Sequence, residues 1–150
     1  NPEFVEKNEK KRFKLGDVVT VHTGDIGTSA VIENELVGSL GFATLNSRVN
    51  EDIVSNFYYS LFLNSSIFKS QAYAVSTGDG RNNLNLKDFV NMIIAYPKDK
   101  VEQNNIFEII NNLSERIYLY KSEKDDFVQV KKGLMEKLLT GKIRVNSLEV

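Results

Sequence analysis

From Val101 to about Thr140, apolar residues recur at alternating steps of four and three: Ile106, Ile110, Leu113, Ile117, Tyr120, Phe127, Leu134 and Leu138. Lys124 and Lys131 take two a-type positions in the same register. This a/d heptad spacing predicts one long helix with a seam built for a partner helix. Gly141 follows as a stop, and Gly133 lies inside at a cost of about 1 kcal/mol relative to Ala. At the flanks of the seam, Phe107 and Ile109 near the start and Val128, Val130 and Met135 near the end widen the apolar face. Ser114, Arg116, Lys121 and Glu123 leave its middle narrow. A plain core helix is the simpler reading, but about 95 other residues cannot bury a helix of this length, so part must protrude or pair.

The first hundred residues carry shorter periods. Val18–His22 is rich in β-branched residues and predicts a strand, Thr23–Gly27 a turn, and Ser29–Ile32 a return strand. Leu36–Val49 adds short strand signals broken by Gly38 and Gly41. Glu51–Leu63 switches to helical spacing through Ile53, Val54, Phe57, Tyr58, Leu61 and Phe62. Ser65–Ala74 predicts a second helix with Ile67, Phe68 and Gln71 in one periodicity. Ser76–Asn85 reads as a loop, Leu86–Phe89 as a helical turn, and Met92–Tyr96 as a strand ended by Pro97. The expected fold is α+β: a small mixed or antiparallel sheet with short helices, then one long coiled-coil-forming helix. Three regions follow: a charged leader over 1–14, in which Asn1–Phe4 reads as an appended sequence, a globular part over 15–100, and the helix with its end over 101–145.

Composition narrows the chemistry. There is no Cys and a single His, so thiolate metal sites, cysteine nucleophiles and His-based triads have little to draw on. The carboxylates are scattered, with no acid/base pair to single out. No metal and no cofactor is expected. No apolar run reaches membrane-spanning length, and a cytoplasmic location is expected. The formal net charge of −1 is balanced along the chain, with no concentrated basic face apparent. The isolated chain is therefore expected to bind duplex DNA weakly and with little sequence preference.

One loop stands out within that neutral background. In Ser76-Thr77-Gly78-Asp79-Gly80-Arg81-Asn82-Asn83-Leu84, two glycines allow close backbone approach, while Arg and Asn carry the donors that read guanine and adenine edges. A surface turn is the ordinary reading of the same composition. No Gly-Lys-Ser/Thr follows, which excludes a phosphate-cradling P-loop.

Four stretches taken together resemble the DNA specificity subunits of type I restriction-modification systems. Gly16–Ile32 resembles their Gly-Asp strand and Thr-Gly-x-x-Gly turn. Thr77–Leu84 with Leu86, Phe89, Ile93 and Pro97 resembles the segment that closes a recognition domain. Glu102-Gln103 with Ile106 resembles the start of the spacer helix, and Lys132–Val145 resembles its end. Each is loose alone; their order and spacing over Leu15–Val145 is specific.

The resemblance implies a non-catalytic subunit that reads double-stranded DNA. Such subunits carry two recognition domains, each followed by a long helix, and the two helices pair antiparallel as a ruler between half-sites. Partner modification subunits methylate adenine and motor-nuclease subunits cut. It also implies Thr77, Gly78, Arg81, Asn82, Asn83 and Thr23 as DNA-facing candidates, with the heptad residues forming the pairing surface. With one helix, and starting close to the mid-domain Gly-Asp strand, the chain is expected to be at most half of such a subunit. A homodimer through the helix is expected. The competing reading is a dimerisation and methyltransferase-docking module that does not read DNA; an unrelated coiled-coil enzyme domain fits the Leu134–Lys142 run poorly.

Overall fold

The computed structural model describes residues 7–78 and 82–145. The chain divides into two compact units, residues 1–107 and 108–150.

The first unit is built on a three-stranded antiparallel sheet in the order β2-β1-β3, with β1 Val18–Val21, β2 Ser29–Val31 and β3 Thr44–Ser47. Val18 faces Val31 on one side and Ser47 on the other. Alternation along β1 buries Val18 and Thr20 and leaves Val19 and Val21 half-buried, as one covered sheet face requires. The buried Thr20 hydroxyl is satisfied by the Ser29 hydroxyl, which donates to it at 2.9 Å.

Helix α1 (Asn56–Leu63) packs across β1 and β2, and α2 (Ser66–Val75) packs against α1. Their inward residues Tyr59, Leu63, Phe68 and Ala72 join Val18, Ile26, Leu84 and Phe89 in one core. Phe68 meets Phe89 edge-on, with ring centroids 6.1 Å apart. A single helical turn, α3 (Leu86–Phe89), delivers Phe89 to that core.

Several expected boundaries shift for identifiable reasons. The first helix begins at Asn56 rather than Glu51. Ser55 keeps an extended backbone and Ile53 is exposed, because the Ser55 amide is held by a side chain from elsewhere (Gln103, below). The second helix starts where Ser65 caps it, its hydroxyl accepting from the Phe68 amide at 3.3 Å. Ile67 points outward, and Phe68 and Ala72 form the buried stripe.

Met92–Tyr96 is not a strand. It has no strand partner among the described residues, and Ile93 is satisfied by Gln71 instead. Gln71 Nε2 donates to Ile93 O and Gln71 Oε1 accepts from Ile93 N, both at 3.2 Å. One side-chain amide thus replaces a rung of a ladder. The Tyr58 hydroxyl donates to Ala95 O at 3.1 Å.

Residues 11–14 are fastened to the 38–41 loop. Phe13 N donates to Ser39 O and Gly38 N to Phe13 O, each at 2.9 Å, and Arg12 and Leu40 form a β-bridge. Gly41 lies so close to the Phe13 ring that a Cβ there would sit 2.4 Å from it, which explains why this loop carries glycine.

Helix α4 spans Lys100–Leu139, 40 residues or about 60 Å. Its first two turns belong to the first unit, where Gln103 is fully buried and Phe107 lies against Phe57 with centroids 5.0 Å apart. The second unit is the rest of this helix and its end. Gly141, in the left-handed region at φ +70°, closes the helix with its amide donating to Leu138 O at 3.1 Å.

Candidate nucleic-acid interface

β1 leads directly into the segment His22–Gly27. Gly24 and Gly27 both adopt positive φ, so the chain reverses tightly before β2. Ile26, at the far side of the turn, is completely buried and pins it to the core. The loop after α2 is pinned in the same way by the completely buried Leu84. The polar residues around Thr23 and Asn83 therefore each lie close to a buried apolar anchor, Ile26 and Leu84.

Backbone hydrogen bonds join the two segments. Leu84 N donates to His22 O at 2.8 Å and Gly24 N to Asn82 O at 3.0 Å, making Thr23 and Asn83 an antiparallel bridge. Asn83 also bridges Thr77, with Thr77 N donating to Asn83 O at 3.1 Å and Asn83 N to Thr77 O at 2.9 Å. Thr23, Asn83 and Thr77 thus form a miniature ladder from segments some sixty residues apart in sequence.

The side chains extend this pattern. Asn83 Oδ1 lies 3.0 Å from His22 Nδ1 and accepts from the Thr23 hydroxyl at 3.2 Å, and the same hydroxyl is 3.0 Å from His22 Nδ1. Asn83 Nδ2 points to Asn85 Oδ1 at 3.5 Å. The Ser76 hydroxyl donates to Tyr73 O at 3.0 Å and reaches Asn82 Oδ1 at 3.5 Å. On the turn itself, the Thr28 hydroxyl and then Lys69 hold the Asp25 carboxyl below its ordinary value.

Of the sequence candidates, Thr77, Gly78 and Asn82 are exposed beside half-buried Thr23 and Asn83. Arg81, with Asp79 and Gly80, lies outside the described residues. Asn83 has its carbonyl oxygen engaged by His22 and Thr23, so it helps hold the juncture together. His22 is the single histidine of the chain and is not itself one of the motif residues in the sequence. Its position at the end of a β-branched run, next to a Thr-Gly turn, is the only sequence signal that could have flagged it. Among the described residues, no group of three or more His, Cys, Asp or Glu is placed to hold a metal, and no helix is long and apolar enough to cross a membrane.

In the second unit, Ile110, Leu113, Ile117, Tyr120, Phe127 and Leu134 are exposed and Leu138 is half-buried; Ile106, in the first unit, is half-buried. Ile117 and Leu134 are each 49% exposed and Phe127 65%. Among the described residues, the heptad seam from Ile110 to Leu134 stays exposed.

The fold is similar to that of the HsdS subunit from Thermoanaerobacter tengcongensis seen in its crystal structure, with a TM-score of 0.64 and 17% sequence identity. The match covers 93% of this chain and 36% of that one, so the chain spans little more than a third of the subunit's length. The sequence pattern of the family described as "Type I restriction modification DNA specificity domain" matches residues 1–127, through the sheet, the Thr23–Asn83 juncture and most of α4. The chain belongs to that family of type I restriction modification DNA specificity domains.

Proposed function

We propose that this chain supplies DNA sequence recognition to a type I restriction-modification complex, is itself non-catalytic, and directs adenine methylation and cleavage carried out by partner subunits. The observation that carries this reading is the Thr23–Asn83–Thr77 ladder. It joins His22–Gly24 to Asn82–Leu84, from distant parts of the sequence, beside the buried residues Ile26 and Leu84. A rigid platform with exposed Asn and Thr side chains, next to a sequence position holding Arg81, is the arrangement base-edge reading needs. The DNA contacts of this proposal come from Thr77, Gly78, Arg81, Asn82, Asn83 and Thr23, and the hydrogen bonds among His22, Thr23 and Asn83 position the loop. The modification subunits, and through them the restriction subunits, are the protein partners, and the site of action is the cytoplasm.

The uncovered heptad favours a second element of the proposal, a homodimer in which two α4 helices pair antiparallel. The alternative, a module that dimerises or docks without reading DNA, shares this helix and differs only at the ladder. Binding of a randomised duplex library by the chain assembled with its methyltransferase subunits separates the two. Enrichment of a defined sequence, lost on Arg81→Ala or Asn82→Ala, supports reading. Binding without enrichment supports the docking module.

A further inference from the structure

We infer that a second, sequence-independent DNA contact lies in a basic cleft at the other end of β1, where it grips the phosphodiester backbone. The inference rests on the DNA-reading proposal and adds a surface that it does not use.

The structure corrects the expectation that the chain has no concentrated basic face. A cleft of about 520 Å³ is lined by Lys10, Arg12, Phe13, Lys14, Val37 and Arg48, among others. A smaller one of about 150 Å³ shares Lys10, Arg12 and Arg48 with it. Four cations meet here with two carboxylates, and both carboxylates are already held. Arg12 Nε pairs with Glu9 at 2.6 Å, and Arg48 grips buried Asp17 through Nε at 2.7 Å and Nη2 at 2.8 Å. Arg12 Nη1 donates to Gly38 O at 2.6 Å. Lys10 and Lys14 make no salt bridge among the described residues, and Arg48 keeps Nη1 for an outside acceptor. The fold therefore fixes Arg12 and Arg48 in place, and the exposed ammonium groups of Lys10 and Lys14 supply the charge left over beside them.

The shape of this charge points to a linear polyanion. Exposed Lys7, Lys10, Lys11 and Lys14 follow one another along the same short run, which the Arg12–Leu40 bridge holds against the domain. The larger cleft is roomier than a single phosphate group requires. Lysines act on phosphates as point charges without demanding one orientation, which suits a contact that carries no sequence information. From Asp17 to His22 the extended chain covers about 16 Å. At about 3.4 Å per nucleotide along one strand, that span equals roughly five base pairs. A backbone grip at one end of β1 and a base-reading tip at the other fit within half a helical turn.

The test is a fluorescence-anisotropy titration of the full chain with a random-sequence 30-base-pair duplex across a potassium chloride series. It compares wild type, Lys10→Gln/Lys14→Gln, Lys10→Arg/Lys14→Arg and Asn82→Ala. The Gln pair should lose about tenfold in affinity at low salt and flatten the slope of log K against log salt by about 1.8, that is, about 0.9 per lost phosphate contact. The thermal midpoint should stay put, and the Arg pair should bind like wild type. Asn82→Ala should leave the salt slope intact. An unchanged slope in the Gln pair, with wild type binding normally, overturns the cleft and leaves the reading proposal standing. Weakened association of the Gln pair with methyltransferase subunits but not with DNA makes the cleft a protein contact and overturns the inference. No duplex binding by wild type, with or without those subunits, removes both proposals.

Discussion

The Ser55 amide donates to Gln103 Oε1 at 2.7 Å, although the two residues lie 48 positions apart. Gln103 Nε2 donates in turn to Ile53 O at 3.0 Å and Pro97 O at 2.7 Å. One fully buried side chain thus ties the start of α4 to the lead-in of α1 and to the segment before the long helix. Gln103→Leu keeps the approximate size but strands a buried amide and two carbonyls. Each such group costs about 1–3 kcal/mol when left without a partner, so a loss of roughly 2–4 kcal/mol is expected, the carbonyls being partly solvated. Chemical denaturation of the first unit measures it. A change below about 0.5 kcal/mol would mean that other groups fill the role.

The Gln103 hub explains why part of this fold was legible and part was not. The long helix was legible because its heptad period persists through Leu138, far beyond what a chance run sustains. The β1–β2 hairpin was legible through its β-branched strand and its two turn glycines. Met92–Tyr96 has strand composition but no neighbouring strand, and nothing in its own residues reveals that Gln71 takes that place. The juncture at Asn83 is invisible for a similar reason. His22 follows the last residue of β1 while Thr23 and Asn83 lie in separate turn-rich stretches, and their meeting depends on where the core places Ile26 and Leu84. The basic cleft is not legible in the sequence because Arg48 joins Lys10 and Lys14 only through the sheet register that sets β3 beside β1.

Asp17 gives the first unit an acid-sensitive anchor. Burial raises its carboxyl pKa, but the hydrogen bonds from Arg48 and the Lys14 amide outweigh this and leave it below the ordinary 3.8. A carboxylate depressed by folding contributes stability that is fully present above its unfolded value and is lost as pH falls through the lower folded value. Asp17→Asn should therefore cost about 1–3 kcal/mol near neutral pH. The gap between wild type and variant should close only below pH 3.8. Urea midpoints measured from pH 7 down to pH 2 check this, and a gap independent of pH would assign Asp17 a purely packing role.

At the interface, two substitutions should separate reading from positioning. Arg81→Ala should leave the thermal midpoint nearly unchanged and weaken DNA engagement by the assembled complex by about 1–3 kcal/mol, with relaxed preference at one base pair. Asn83→Ala removes the acceptor shared by His22 and Thr23 and should instead cost about 1–2 kcal/mol of stability. If Arg81→Ala unfolds the domain with no separate DNA effect, Arg81 is structural and the loop loses its proposed role.

Gly133 sits inside α4 with nothing within 4 Å of where a Cβ would lie. Gly133→Ala should stabilise the helix by about 1 kcal/mol, since it gains helix propensity without a clash. Helicity followed by circular dichroism on heating reads this out. Destabilisation would reveal that a partner packs closely against Gly133 in solution.

Ile117 and Leu134 are about half exposed and Phe127 more so, on a face whose period is that of helix pairing. Two copies pairing antiparallel would cover these residues with two-fold symmetry, the simplest closed solution for one self-complementary stripe. Each fully buried Ile, Leu or Phe contributes roughly 1.5–3 kcal/mol before association entropy is subtracted. Lys124 and Lys131 weaken the stripe but disfavour shifted registers, which would bury their ammonium groups with no path to water. A symmetric dimer would present its two reading units to a palindromic split site rather than an asymmetric one. Light scattering on the purified chain at tens of micromolar should give twice the chain mass, and Ile117→Asp should return it to one. Ile117→Asp places a carboxylate at the a position of each copy, where burial would cost several kcal/mol per ion. A monomer indifferent to that substitution would end the homodimer proposal and leave the heptad to pair with another chain.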